Sequence, residues 1–147
     1  MTLFILHLTS AFIVTIIFAG FEEAFTKLQP AHILDVFVLP PLGELADITW
    51  FGIMNAMFIP AGLIATEWVR RRVNLNDNDA VVRVLTGTFI GMIASVLLFA
   101  LSETFALMLV GLMLTRMTMT MVKPLMEAWI NQHIDSRVRA TVLSIQG

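Results

Sequence analysis

Val81-Val-Arg-Val-Leu-Thr-Gly-Thr-Phe-Ile-Gly-Met-Ile-Ala-Ser-Val-Leu-Leu-Phe-Ala-Leu101 carries a single charge, Arg83, close to its start, and none after it. Hydrocarbon about 30 Å thick is crossed by about 20 predominantly apolar residues in a helix, and this stretch is long enough to do so. Working outward, the same test picks out Ile48 to Trp68 before it and Thr104 to Trp129 after it. A further segment from Leu3 to Phe21 is apolar and is expected to continue as helix to Leu28. The expected fold is therefore all-α and transmembrane. Residues 1–147 form a partial transmembrane domain with spans over about 3–28, 48–68, 81–101 and 104–129. A fifth apolar stretch begins at Ala140 and is cut short where the sequence ends at Gly147.

Composition agrees. The 147 residues are 58% hydrophobic and 14% charged, with a mean hydropathy of +0.86. A soluble domain carries nearer a quarter charged residues because its surface faces water. A net charge of −2 gives no electrostatic reason to expect nucleic acid as a partner. The absence of cysteine rules out disulfides and thiolate metal sites. The N-terminus, Met1-Thr-Leu-Phe-Ile-Leu, has no basic region of the kind that opens a cleaved signal peptide, so the first segment is expected to be retained as a span.

Basic loop residues give an orientation, since short cytoplasmic loops are enriched in Lys and Arg. Arg70, Arg71, Arg72 and Arg83 lie between the second and third spans, and Arg137 and Arg139 follow the fourth. The loop between the first two spans holds Asp35, Glu44 and Asp47, and Ser102-Glu103 alone links the third span to the fourth. One arrangement satisfies all of these: a cytoplasmic N-terminus, an outer acidic loop, an inner arginine loop, an outer tight turn and inner final arginines. Trp50, Trp68 and Trp129 fall near expected helix ends, where an amphipathic ring prefers the headgroup region. Pro30 and Pro40-Pro41 are expected to stop helix propagation, leaving residues 31–39 as a short interfacial helix. Asn74 to Asp79 begins like a calcium loop but lacks the required glycine and terminal glutamate, and reads as a solvated turn.

The fourth span carries the chemistry. Arg116, Thr120, Lys123 and Glu127 recur at spacings of four, three and four, so a helix places them on one face. Ionised groups at depth are costly and normally face a bundle interior or a water-filled cavity. The functional expectation is a polar pathway with Lys123 and Glu127 paired one turn apart. The plainer alternative is that these two only snorkel to headgroups. Pro124 is expected to bend the helix there. Asn55 in the second span is either an interhelical hydrogen bond or a substrate contact. Glu23 and Lys27 stand in the acid-first order of a helical pair, as an outer gate or as a solvated helix end. Gly87, Gly91 and Ser95 offer a small-residue face for close helix packing. His7, His32 and His133 fall into no ligand spacing, so no metal, cofactor or intramembrane enzyme is expected.

The residues from Pro124 to Ser144, with Arg137-Val-Arg-Ala-Thr-Val-Leu-Ser144 opening the truncated fifth helix, resemble the junction of helices ten and eleven in bacterial major facilitator superfamily transporters. Glu23-Ala-Phe-Thr-Lys-Leu-Gln-Pro-Ala-His32 is similar to the end of helix seven in their drug-efflux-like and uncharacterised members. Ala24 replaces a glycine there, Thr26 an aspartate and Lys27 an arginine. Trp50-Phe-Gly52 is similar to the start of helix eight. The resemblance implies a piece of the C-terminal bundle, helices seven to ten and the start of eleven, in the bacterial inner membrane. It further implies alternating-access transport of a small organic solute or drug with proton coupling, the partners being lipid, substrate, protons and the missing N-terminal half. The alternative expectation is a non-transporting membrane scaffold or a truncated relic.

Overall fold

The computed structural model describes residues 2–41 and 48–133. The stretch from Ala140, the arginines Arg137 and Arg139, and the loop acids Glu44 and Asp47 lie outside the described residues. Among the described residues all regular structure is helical: α1 (Thr2–Val36), α2 (Ile48–Arg72), α3 (Asn78–Ala100) and α4 (Phe105–His133). By length and composition α2, α3 and α4 are each long and apolar enough to cross a membrane. Their outward faces fit that reading. Ile64, Ile90 and Ile93 are all at least 60% exposed, whereas a soluble bundle would turn such side chains inward.

The boundaries depart from the sequence expectation in three places. α1 runs unbroken through Pro30 and reaches Val36, so residues 31–36 belong to it and the expected separate short helix does not form. Proline removes one backbone donor while its fixed φ stays compatible with helix, so the chain loses a single bond at the Thr26 carbonyl and continues. α3 starts three residues early because Asp77 caps it, its carboxylate accepting from the N–H groups of Asp79 at 3.0 Å and Ala80 at 3.4 Å. The acidic turn between α2 and α3 is thus a helix start. Asp77→Ala is expected to lower stability by about 1 kcal/mol, read as a lower unfolding midpoint in detergent. An unchanged midpoint would remove the cap from the account. α4 begins after Thr104, whose hydroxyl accepts from the Leu107 N–H at 3.4 Å, and it continues to His133.

α4 is the axis of the fold. Met108, Leu112, Thr115, Val122 and Leu125 are fully buried along it. Its closest neighbour is α3, and the reason is one glycine. A Cβ on Gly111 would sit 2.6 Å from the backbone nitrogen of Phe99 and 2.8 Å from its Cα, so the two helices touch backbone to backbone there. One turn along, the buried Thr115 hydroxyl lies 2.8 Å from the Gly111 carbonyl and 3.1 Å from Ser95 Oγ, which itself donates to the Met92 carbonyl. Gly87 faces open space and Gly91 makes only ordinary contact with Thr118, so of the small residues singled out on α3, Ser95 lies nearest the tight crossing. α2 approaches α4 at Gly62, where an added Cβ would lie 3.2 Å from the Thr120 side chain.

α1 is held differently. It meets α3 through ring contacts, Phe18 on Phe89 at 6.3 Å and Phe25 on Phe99 at 5.5 Å, and it meets α4 through the ends of long polar side chains. Cavities open between α1, α2 and α4. At the ends of the bundle, Trp50 donates to the Pro40 carbonyl at 2.7 Å while its ring rests on Phe105. Gln132 donates to the Leu75 carbonyl at 2.6 Å, tying the end of α4 to the α2–α3 turn.

Candidate functional site

Helical spacing on α4 turns Arg116, Met119, Thr120 and Lys123 to one side, and α2 presents Asn55, Phe58, Ile59 and Gly62 opposite them. Between the two helices lies an open cleft of about 520 Å³, with Glu22 of α1 in its wall beside Lys123. Four residues expected from sequence to line a pathway, Asn55, Arg116, Thr120 and Lys123, meet at this one cleft. Glu127 does not reach it. That residue lines an adjoining cavity of about 270 Å³ together with Glu22, Lys123 and Thr15, and also a groove at the end of α4 with Arg70 and Gln132.

Arg116 lies about 16 Å of helix rise from Phe105 and about 26 Å from His133. It is half buried, and its guanidinium reaches across to α1. One terminal nitrogen donates to Gln29 Oε1 at 2.5 Å and the other to Thr26 Oγ1 at 3.4 Å. The faces of Phe25 and Phe58 approach its centre to 5.8 and 6.0 Å, a cation–π arrangement on both α1 and α2. Its Nε is buried and has no acceptor among the described residues. Gln29 is itself buried and is therefore matched to a charged donor instead of to water.

Lys123 pairs with Glu22 of α1 at 3.1 Å, and the expected pairing with Glu127 does not form. The i,i+4 rule describes a helix alone; here α1 brings a carboxylate to the same ammonium from a second direction. Glu127 is exposed and has no ion-pair partner among the described residues. Glu23 and Lys27 pair at 2.8 Å with both side chains well exposed, on α1 but outside the cleft wall. Arg70 and Arg71 are bound to Glu67 at 3.3 and 2.6 Å, so part of the charge of the arginine loop is balanced within α2 itself. Thr120 Oγ1 donates back to the Arg116 carbonyl at 2.7 Å, which occupies its proton locally and leaves oxygen lone pairs toward the cleft.

Glu22, Thr26, Gln29, Phe25 and Phe58 complete this site and were not singled out from sequence. Glu22 stood beside the more obvious helical pair of Glu23 and Lys27. Gln29 was a lone amide next to a proline. The partner of Gln29 lies 87 residues away along the chain and that of Thr26 lies 90 away, where local spacing carries no signal. Compared with known proteins, the chain matches no family model, no curated protein and no solved structure.

Proposed function

We propose that this chain is part of a secondary transporter of the major facilitator type, and that the cleft between α2 and α4 belongs to its solute pathway. The observation that carries the reading is the cleft itself: charged and amide side chains of three helices converge on one open cavity about midway along α4. Polar groups at membrane depth are retained where they bind, relay or conduct. In this reading α1 is a fourth span, the N-terminus and the arginine loop are cytoplasmic, and the Ser102-Glu103 turn is outside. The solute is a small organic molecule, and a rocking of two bundles about the cleft exposes it to each side in turn. Glu22 and Glu127 line one cavity with Lys123, and on this reading that cavity is where proton coupling enters the cycle.

Two measurements test this. The chain has no native cysteine, so single cysteines report sidedness directly. Glu103→Cys is expected to react with a membrane-impermeant reagent from outside, and Asn76→Cys only after the membrane is opened; the reverse pattern would sink the topology. In the parent protein, which on this reading carries about six helices before these and two after, Arg116→Gln is expected to slow solute flux at least about tenfold without impairing insertion. Undiminished flux would take Arg116 out of the pathway. A gene holding these helices alone would favour the relic or scaffold instead.

A further inference from the structure

We propose that the cleft between α2 and α4 takes a small organic monoanion, a carboxylate on an apolar body, and that Arg116 anchors its charged end. This rests on the reading of the cleft as a solute pathway and names the class of solute.

A guanidinium remains protonated in essentially any protein setting, so Arg116 brings a permanent positive charge to the interior of α4. The groups that touch it are neutral, the Gln29 carbonyl, the Thr26 hydroxyl and the rings of Phe25 and Phe58, and the Glu22 carboxylate attracts it without an ion-pair contact. The only carboxylate in the described cleft wall, that of Glu22, is held by Lys123 at 3.1 Å. Glu127 lies about 16 Å of helix rise farther along α4, in the adjoining cavity. The wall therefore carries two cations that share one anion, a net charge of +1, and Arg116 is the cation without an ion-pair contact, its Nε buried and unpaired among the described residues. An ionised group at depth is costly until an opposite charge meets it. A monoanion closes that balance; a cation or a dianion does not.

The rest of the lining describes the body of the ligand. Phe58, Ile59, Leu63 and Met119 are apolar, while Asn55 and Thr120 supply a few hydrogen-bonding atoms. A volume of about 520 Å³ lies within the range of small-molecule sites, about 300–1,000 Å³. The planar fork of a guanidinium matches the planar oxygens of a carboxylate. A lipid phosphate offers related oxyanion chemistry, but headgroups gather at helix ends. Arg116 is about 16 Å from one end of α4 and about 26 Å from the other, and this favours a dissolved carboxylate.

The test uses the full chain in phosphatidylcholine nanodiscs with nitrogen-labelled arginine, and follows the Arg116 Nε–H resonance, assigned by its disappearance in Arg116→Lys. Benzoate is expected to shift this resonance saturably, and the neutral isostere benzamide to bind at least about tenfold more weakly. By calorimetry Arg116→Gln is expected to lose benzoate affinity at least about tenfold. Glu22→Gln frees Lys123 and is expected to raise that affinity severalfold, an outcome that a misfolded variant cannot imitate. Equal responses to benzoate and benzamide in the unaltered chain would overturn the proposal, as would a weaker response in Glu22→Gln. So would phosphatidylglycerol shifting the same resonance with no benzoate present. Benzoate binding without flux in the parent would sink the transport reading alone. Flux of a neutral or cationic solute with no benzoate response would sink this inference alone.

Discussion

Gly111→Ala is expected to cost about 3 kcal/mol of stability, at the upper end of what overpacking a tight contact does. The added carbon would meet the backbone of Phe99 at 2.6 and 2.8 Å, and backbone cannot swing aside as a side-chain tip can. The two helices would have to separate by a few tenths of an ångström or more along their whole crossing. That would loosen the fully buried Met108, Leu112 and Thr115 and stretch the Thr115 to Ser95 contact. The measurement is the unfolding midpoint in mixed micelles, with Gly87→Ala as the control. Nothing lies within 4 Å of a Cβ at Gly87, so that change is expected to be neutral or slightly favourable, alanine being the better helix former. Equal midpoints for the two variants would mean that the α3–α4 crossing is not set by Gly111.

Lys123→Met is expected to destabilise the chain by about 1 kcal/mol, because it leaves the Glu22 carboxylate, 34% exposed, without the cation it meets at 3.1 Å. The double variant Glu22→Gln/Lys123→Met is expected to recover more than half of that loss, since an absent ion pair costs less than a broken one. Glu127→Gln is expected to change stability by no more than about 0.5 kcal/mol, as its side chain is exposed and lacks an ion-pair partner among the described residues. The double-mutant cycle therefore distinguishes the pairing across helices from the pairing along one helix. A coupling between Lys123 and Glu127 larger than that with Glu22 would reverse the assignment.

What the sequence disclosed followed from periodicity. The apolar runs located α2, α3 and α4, and the spacing of Arg116, Thr120 and Lys123 placed them on one wall before any helix had a partner. Asn55 joined them at the cleft from a helix that had no spacing relation to α4. What stayed hidden was the identity of the partners. Lys123 had Glu127 one turn away in sequence and Glu22 across the bundle, and only the packing of α1 decides between them. Gly111 escaped notice for a related reason. The surface it accommodates is the backbone of Phe99, and any residue type could have stood there. Pro30 was over-read: a missing donor stops a helix only when nothing else favours the helix beyond it.

The way α1 meets α4 also bears on how the chain is made. Ribosomes deliver α1 first, so Glu22, Thr26 and Gln29 are synthesised well before the two cations they will serve. A centrally placed arginine or lysine costs about 2.5–3.5 kcal/mol to insert in an isolated helix. α4 emerges right after α3, joined to it by the short link at Ser102 and Glu103 and by a backbone contact that needs no side-chain rearrangement. The pair can thus enter the bilayer as a hairpin, with the strongly apolar α3 offsetting the charges of α4. The acceptors on α1 are already waiting when those charges arrive. Synthesis order and final contacts reinforce each other, and a circular permutation that put α1 last would be expected to insert poorly even though every native contact remained available.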